Sequence, residues 1–334
     1  MQPITHKSSR RLVGLAWLSA CAVPTTPGAP AWQAIDTAGI RGRWGQTAQY
    51  DARRDRMLVF GGQNDTGQLA DLLVLQLDTL AWQSTDMSPT IYGRTDLASA
   101  LDTLNDRLIL IGGRIGLATS IPDVEAFDLE TETWTALPQG PTPRHDITAA
   151  SDGAHAWVFG GAGEFLQSLG DLWQLDFATD TWTQLPEPGD APSARTSYAL
   201  AYRAGALYLI GGHDTESVQR DAWRYDLAAQ RWTELAIVSS PPAWAHFGDA
   251  LDACGRVILE GGDNLDSEDT SLGTTFTLDS ATFAGLATSN LPPARDHPSM
   301  VFDSGRGQLV LYGGGTLGDG LGTLSDAWSF PLGP

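Results

Sequence analysis

A glutamate stands inside an apolar run that ends in two glycines, in the sequence VILEGG at 257–262. The same run recurs without a charge elsewhere, for example as MLVFGG at 57–62 and LYLIGG at 207–212. A buried carboxylate is costly unless a donor pairs with it, so Glu260 is the first candidate for chemistry.

Two further departures from the repeated pattern lie close to this glutamate. Folding the chain about the turn at 252–256 places Glu260 near Gly248 and diagonal to His246, at the same end as Trp244. His297 occupies the equivalent of the His246 position in the next copy. We expect His246 or an arginine of a neighbouring repeat to donate to Glu260, and such a cluster with an exposed tryptophan would suit a carbohydrate. The alternative is a degenerate repeat whose Glu260 reaches solvent.

Arginines precede five of the six double glycines by sixteen to eighteen residues: Arg43, Arg94, Arg144, Arg195 and Arg295. Guanidinium groups suit bidentate binding of carboxylates, so a ring of them would favour an acidic ligand. The alternative is a structural ion pair with an acidic residue of the same repeat, at Asp71, Asp123, Asp171, Asp221 or Asp326. In the fifth repeat both partners are replaced together, by Trp244 and Thr274, as this alternative requires.

The elements that position these residues follow from a period near fifty. The double glycines begin at 61, 112, 160, 211, 261 and 313. Each copy contains four β-patterned runs, which we call strands a (after the arginine), b (ending in the glycines), c and d (opening with a large aromatic). The sixth copy lacks strand d, and its counterpart, WQAI, lies at 32–35. The sequence therefore predicts an all-β, six-bladed propeller in which this N-terminal outer strand completes the C-terminal blade.

The arginine, the double glycine, segments such as DLWQLD in strand c and the tryptophan of strand d resemble the kelch repeat, over residues 32–334. Kelch propellers include peptide-binding adaptors, sugar oxidases, plant specifier proteins and a bacterial sialic-acid mutarotase, so the resemblance implies a fold more than a function. The copper and iron motifs of the oxidases and specifier proteins are missing. The histidines also lack the short spacings of a local metal cluster, so we expect no metal and no cofactor.

The N-terminus has the features of a targeting sequence. A basic stretch and a short apolar stretch fill residues 1–20, and LSAC at 18–21 resembles the lipobox that precedes a lipidated cysteine. We therefore expect a lipoprotein signal peptide, lipidation of Cys21, and a proline-rich tether at 21–31 before the propeller. The implied location is a bacterial envelope membrane, the outer membrane by the enterobacterial sorting rule. An ordinary cleavable signal peptide is the alternative.

The formal charge of −20 argues against nucleic acid as a partner. The prediction is a binding module, rather than an enzyme, that takes a protein segment or a glycan at the channel mouth. The enzymatic alternative resembles the sialic-acid mutarotase, with Glu260 and His246 transferring protons and the arginines holding the substrate carboxylate. A purely structural envelope component is the third possibility.

Overall fold

The structure is a computed structural model that describes residues 30–87, 89–117, 119–214, 217–237, 245–263, 271–279, 282–286, 288–316 and 322–332. The expected signal peptide, the lipidation site Cys21 and nearly all of the tether lie outside these residues, and so does Trp244.

Short antiparallel strands form the first three blades. Strand β1 (Gln33–Ile35) comes first, and blade 1 follows with β2 (Trp44–Asp51), β3 (Arg56–Asn64), β4 (Gly67–Gln68), β5 (Asp71–Gln76) and β6 (Ala81–Asp86). Blade 2 contains β7 (Ala98–Asp102), β8 (Arg107–Ile111), β9 (Arg114–Ile115), β10 (Thr119–Ser120), β11 (Val124–Asp128) and β12 (Trp134–Ala136). Blade 3 contains β13 (Ala149–Ser151), β14 (His155–Ala162), a 3-10 turn (Glu164–Leu166), β15 (Ser168–Asp176) and β16 (Thr181–Gln184).

The remaining blades repeat the pattern. Blade 4 contains β17 (Ala199–Arg203), β18 (Ala206–Ile210), β19 (Ala222–Asp226) and β20 (Arg231–Glu234). Blade 5 contains β21 (Ala245–Leu251), β22 (Val257–Asp263), β23 (Thr275–Asp279) and β24 (Thr282–Gly285). Blade 6 contains β25 (Ser299–Asp303), β26 (Gln308–Tyr312), β27 (Gly315–Thr316), β28 (Gly322–Thr323) and β29 (Ala327–Pro331). Within the described ranges, no helix has the length and apolar character needed to cross a membrane.

The order of strands in the sheets shows how the ends of the chain are joined. Blades 1 to 5 run a–b–c–d, with the small strand β4 added to β3. The sixth sheet has the order β1-β29-β26-β25, and Ala34 of β1 pairs with Trp328 of β29. The N-terminal strand is therefore strand d of the C-terminal blade, and this prediction is confirmed.

The six blades close into a ring. Each strand a contacts the strand a of the blades on both sides, in the cyclic order β2, β7, β13, β17, β21, β25 and back to β2. Strands a thus surround a central channel, whereas strands d form the outer edges of the blades.

Packing between blades explains why strand b is apolar on both faces. Side chains alternate along β3, so that Met57 and Val59 join a core cluster with blade 6 while Leu58 and Phe60 join one with blade 2. Each of the six core clusters combines residues from two successive blades. Burial of apolar surface therefore depends on ring closure, because an isolated blade would leave both faces of its strand b in water.

Candidate functional site

A cavity of about 150 Å³ lies in the channel and is lined by strand-a residues of all six blades. Each blade contributes one residue from the same repeat position, two residues after the strand-a arginine; in blade 5 the count starts from position 244, where the arginine is replaced. We call these six residues the mouth ring: Gly45, Asp96, Asp146, Ser197, His246 and His297. All six line the cavity, and all have a positive φ, between 47° and 67°. Five of them carry side chains, for which this left-handed conformation is unfavourable.

Backbone hydrogen bonds run from blade to blade around the mouth ring. The amide of Asp96 donates to the carbonyl of Gly45 (2.8 Å), and the amide of Asp146 donates to the carbonyl of Asp96 (2.9 Å). The amides of Ser197, His246 and His297 continue the series at 3.1, 3.3 and 2.6 Å. These bonds offset the cost of the left-handed residues and hold the side chains of the ring in fixed positions.

Two histidines occupy one side of the mouth ring. The His246 and His297 rings stack with their centroids 4.0 Å apart. Nδ1 of His246 lies 2.8 Å from Asp263 Oδ2, and Nδ1 of His297 lies 2.8 Å from Asp296 Oδ1. Since a carboxylate accepts, each Nδ1 donates, and Nε2 is the nitrogen left for a ligand. Burial opposes the charged form of His297, but Asp296 and the nearby Asp96 outweigh it and raise its pKa.

Carboxylates occupy the opposite side of the channel. Arg114 Nε donates to Asp96 Oδ2 at 2.6 Å. Burial, assisted by the charge of Asp146, raises the pKa of Asp96. Further along strand a of blade 5, burial raises the pKa of Asp249 to about 7. The channel thus presents carboxyl groups with one arginine paired to them, so it does not favour an acidic ligand.

The five strand-a arginines are buried within their blades and do not face the channel. Their side chains are at most 2% exposed, and none lines the cavity. Each donates to the carbonyl of the first glycine of its own blade's pair and to an acidic residue of strand c: Asp71, Glu125, Asp171, Asp221 and Asp326, in chain order. The expected ligand-binding ring of arginines therefore does not form, because each guanidinium is already bound within its blade. The structural ion pair fits instead, with Glu125 rather than Asp123 as the partner of Arg94.

Glu260 also lies away from the channel. It pairs in register with Gly248 and Thr275, as the turn at 252–256 predicted for Gly248, but its side chain is fully buried. The Thr275 hydroxyl donates to Glu260 Oε2, and Trp32 Nε1 donates to the same hydroxyl at 3.3 Å. Oε1 has no hydrogen-bond partner among the described residues, and burial raises the pKa of Glu260 to about 7.

These placements correct the sequence-based picture of the fifth blade. In the described part of the chain, neither His246 nor an arginine hydrogen-bonds to Glu260, and the glutamate does not reach solvent either. Of the residues expected to form the site, only His246 and His297 line the cavity, while Trp244 lies outside the described residues. Proton transfer by Glu260 and His246 on a substrate held by arginines, as in the mutarotase alternative, does not fit this geometry.

Sequence reasoning missed Asp96, Asp146 and the two aspartates that orient the histidines. For Asp96 and Asp146 the signal was present, because they share one repeat position with His246 and His297, but each looks like an ordinary turn residue in its own copy.

Exposed apolar side chains lie on the same face of the propeller as the mouth, on blades 2 and 3. Strand b ends and strand a begins at this face, so the b–c loops and the segments before strand a lie here. Phe165 is 96% exposed in the b–c loop of blade 3, and Leu117 is 92% exposed in the b–c loop of blade 2. Tyr92, before strand a of blade 2, is exposed as well. Large apolar residues that are almost fully exposed on loops of adjacent blades are candidates for an interaction surface.

Comparison with known proteins agrees with this architecture. A family model described as the KLHDC2/KLHL20/DRC7 Kelch-repeats domain matches residues 52–262. Acyl-CoA-binding domain-containing protein 4 of Arabidopsis thaliana is 27% identical over 305 residues, which are 85% of this chain and 45% of that protein. Kelch domain-containing protein 10 of Homo sapiens is 23% identical over 249 residues, which are 69% of this chain and 55% of that protein.

A shorter match, of 113 residues at 33% identity, links the chain to the human Rab9 effector protein with kelch motifs and covers 32% of this chain and 30% of that protein. The chain therefore spans about half, or less, of the length of these relatives. Because the family model covers more than half of the sequence and the structure shows six four-stranded blades, the chain belongs to the kelch-repeat family of β-propellers.

Proposed function

We propose that this kelch propeller is an envelope-anchored binding module that receives a protein segment on its mouth face. Kelch propellers in general bind protein partners. The observation that carries the proposal is the pair of apolar side chains, Leu117 and Phe165, that stand almost fully exposed on the b–c loops of adjacent blades. Burying them against a partner would stabilise the complex by about 25 cal/mol for each Å² of apolar surface that is removed from water.

The charge of the channel indicates which kind of protein segment it favours. Asp96, Asp146 and Asp249 line it, whereas the five strand-a arginines are bound within their blades. The whole chain carries a formal charge of −20. A neutral or basic segment is therefore favoured over the acidic peptides that an arginine ring would have attracted.

The Rab9 effector protein with kelch motifs is, by its name, a protein that acts with another protein, and this supports a protein partner over a glycan. The glycan alternative depended on Trp244 as a stacking platform, and that residue lies outside the described part of the chain.

The anchor is the second part of the proposal. Lipidation of Cys21, followed by the proline-rich tether at 21–31, would hold the propeller at a bacterial envelope membrane, in the outer membrane if the enterobacterial rule applies. Mass spectrometry of the N-terminal peptide tests this directly. We expect an acylated Cys21 in the membrane fraction and release of the Cys21→Ser variant into the soluble fraction; an unmodified N-terminus would contradict the anchor.

Site-specific photo-crosslinking in the native envelope tests the binding surface. A photoreactive residue at position 165 should give a discrete crosslinked band, and Leu117→Ser should weaken that band. Leu104 is the matched control, because it is 58% exposed in the a–b turn of blade 2, on the opposite face. Crosslinking that is equal at 104 and 165, or absent at 165, would count against this surface.

A further inference from the structure

We propose that the mouth ring binds a divalent transition-metal ion of the zinc class through Asp96, Asp146 and His297. Each of these residues offers one ligand atom, and the three atoms lie within 4.8 Å of one another. They come from three blades and converge because each occupies the same repeat position beside the channel.

The orientation of His297 suits a metal ligand. Its Nδ1 is bound to Asp296 Oδ1 at 2.8 Å, so Nε2 is the nitrogen available to the ion. Histidine ligands in metal sites almost always donate their other nitrogen to a carboxylate or carbonyl in this way, which fixes the ring and increases its basicity.

The Asp96 carboxylate is also held in place. Arg114 Nε donates to Oδ2 at 2.6 Å, and the Thr95 hydroxyl donates to Oδ1 at 3.2 Å. Each carboxylate oxygen has two lone pairs, so both donors leave a lone pair for a metal ion.

A buried histidine gives independent support. His145 is 1% exposed, and its Nδ1 lies 2.8 Å from the Ser120 hydroxyl. Its Nε2 has no hydrogen-bond partner within the described chain and is directed toward Asp146, 3.6 Å from Oδ2. A buried polar atom without a partner is costly, and a water molecule bound to an ion beside Asp146 would supply the hydrogen bond that Nε2 lacks.

The donor set indicates the class of ion. Two carboxylate oxygens with an imidazole nitrogen suit Zn²⁺, Mn²⁺ or Co²⁺ better than Ca²⁺ or Mg²⁺, which take oxygen ligands. Three protein ligands leave at least one coordination position for water or for a group of the bound partner.

Isothermal titration of ZnCl₂ into the full-length chain, prepared without a histidine tag and stripped with EDTA, tests the site. We expect saturable binding of one ion per chain, and Co²⁺ should give a visible absorption band that Zn²⁺ abolishes. Asp146→Asn and His297→Gln should each raise Kd by at least about tenfold, and Asp296→Asn should raise it by about 10–100-fold.

His155→Gln is the matched control, because His155 forms a similar pair with Asp152, with Nδ1 3.2 Å from Oδ2, away from the cavity. Its Kd should equal that of the wild type. Circular dichroism of the metal-free variants checks that Asp146→Asn retains the fold. No saturable binding, or an unchanged Kd in a folded Asp146→Asn variant, would overturn the proposal. No partner is needed in this titration, so its failure would leave the crosslinking result at position 165 intact.

Discussion

The side chain of Glu260 shows how one carboxyl group behaves when it replaces an apolar residue between two blades. It lies against Thr275 of its own sheet and close to Trp32, which joins the core cluster between blades 5 and 6. Other blades place Phe60, Ile111 or Tyr312 before their glycines. Since the protonated form avoids the cost of a buried charge, burial raises the pKa of Glu260 to about 7.

This pKa makes stability depend on pH with a defined sign. Between pH 4.5, the ordinary pKa, and about pH 7, the folded state keeps a proton that the unfolded state has lost. The free energy of unfolding therefore falls as the pH rises through this window. The slope from one group is at most about 1.4 kcal/mol per pH unit. Glu260→Gln cannot ionise, so its free energy of unfolding relative to the wild type should increase by on the order of 2 kcal/mol between pH 5 and pH 8.

Urea denaturation at several pH values measures this difference. Glu234→Gln, an exposed substitution in β20, controls for the general effect of exchanging glutamate for glutamine. A difference between Glu260→Gln and the wild type that stays constant with pH would show that Glu260 is ionised in the fold.

At the scale of the element, every blade except blade 5 is held together at the mouth end by its strand-a arginine. Arg144 lies just before β13 and donates to the Gly160 carbonyl of β14 (2.7 Å) and to both carboxylate oxygens of Asp171 in β15 (2.8 and 2.9 Å). Three strands are thus joined by one side chain. Burial alone would raise the pKa of Asp171, but the bond to Arg144 outweighs this and lowers it.

Removing such an arginine should destabilise the fold strongly. Arg144→Ala leaves the Asp171 carboxylate and a buried carbonyl without their partner, and we expect a loss of about 3–5 kcal/mol in the free energy of unfolding. Arg144→Lys should lose less, because a lysine replaces the charge but not the two parallel hydrogen bonds. Arg53→Ala removes a mostly exposed side chain from its pair with Asp106, which keeps its bond to Arg54, and should change stability little. Equal losses in Arg144→Ala and Arg53→Ala would refute this role.

At the scale of the whole molecule, stability depends on the seam between β1 and β29. Trp32 is fully buried beside Phe330, with ring centroids 5.2 Å apart. Its amide donates to Ser289, its carbonyl accepts from Asn290, and its indole donates to Thr275. One residue near the N-terminus therefore links blades 5 and 6.

Trp32→Ala should cost about 3–5 kcal/mol, since it removes a large buried side chain and leaves Thr275 without its indole donor. Trp134→Ala is the comparison, because Trp134 opens strand d of blade 2 but is only partly buried. Guanidinium denaturation followed by circular dichroism would give both values. A loss in Trp32→Ala no larger than in Trp134→Ala would show that the seam adds nothing beyond an ordinary strand d.

The repeat marks were enough to predict the architecture, because arginine, double glycine and tryptophan recur at intervals set by one supersecondary unit. They even placed WQAI as the missing strand of blade 6, which the pairing of Ala34 with Trp328 confirms. The same marks left the role of the arginines open, since sequence does not show whether a guanidinium faces the channel or its own blade. Four members of the mouth ring were missed, because they are about fifty residues apart and meet the two histidines only through ring closure.

The pairing of β1 with β29 also fixes the order in which the protein can be completed. Blades 1 to 5 consist of consecutive segments and can form as the chain is synthesised, but blade 6 must wait for β29. Until then β1 is an unpaired edge, and Trp32 has no Phe330 to pack against. A chain truncated just before β29 would keep five complete sheets but would leave β1 and β26 each without a hydrogen-bonding neighbour and Trp32 without Phe330, so β29 closes the last sheet and the ring together.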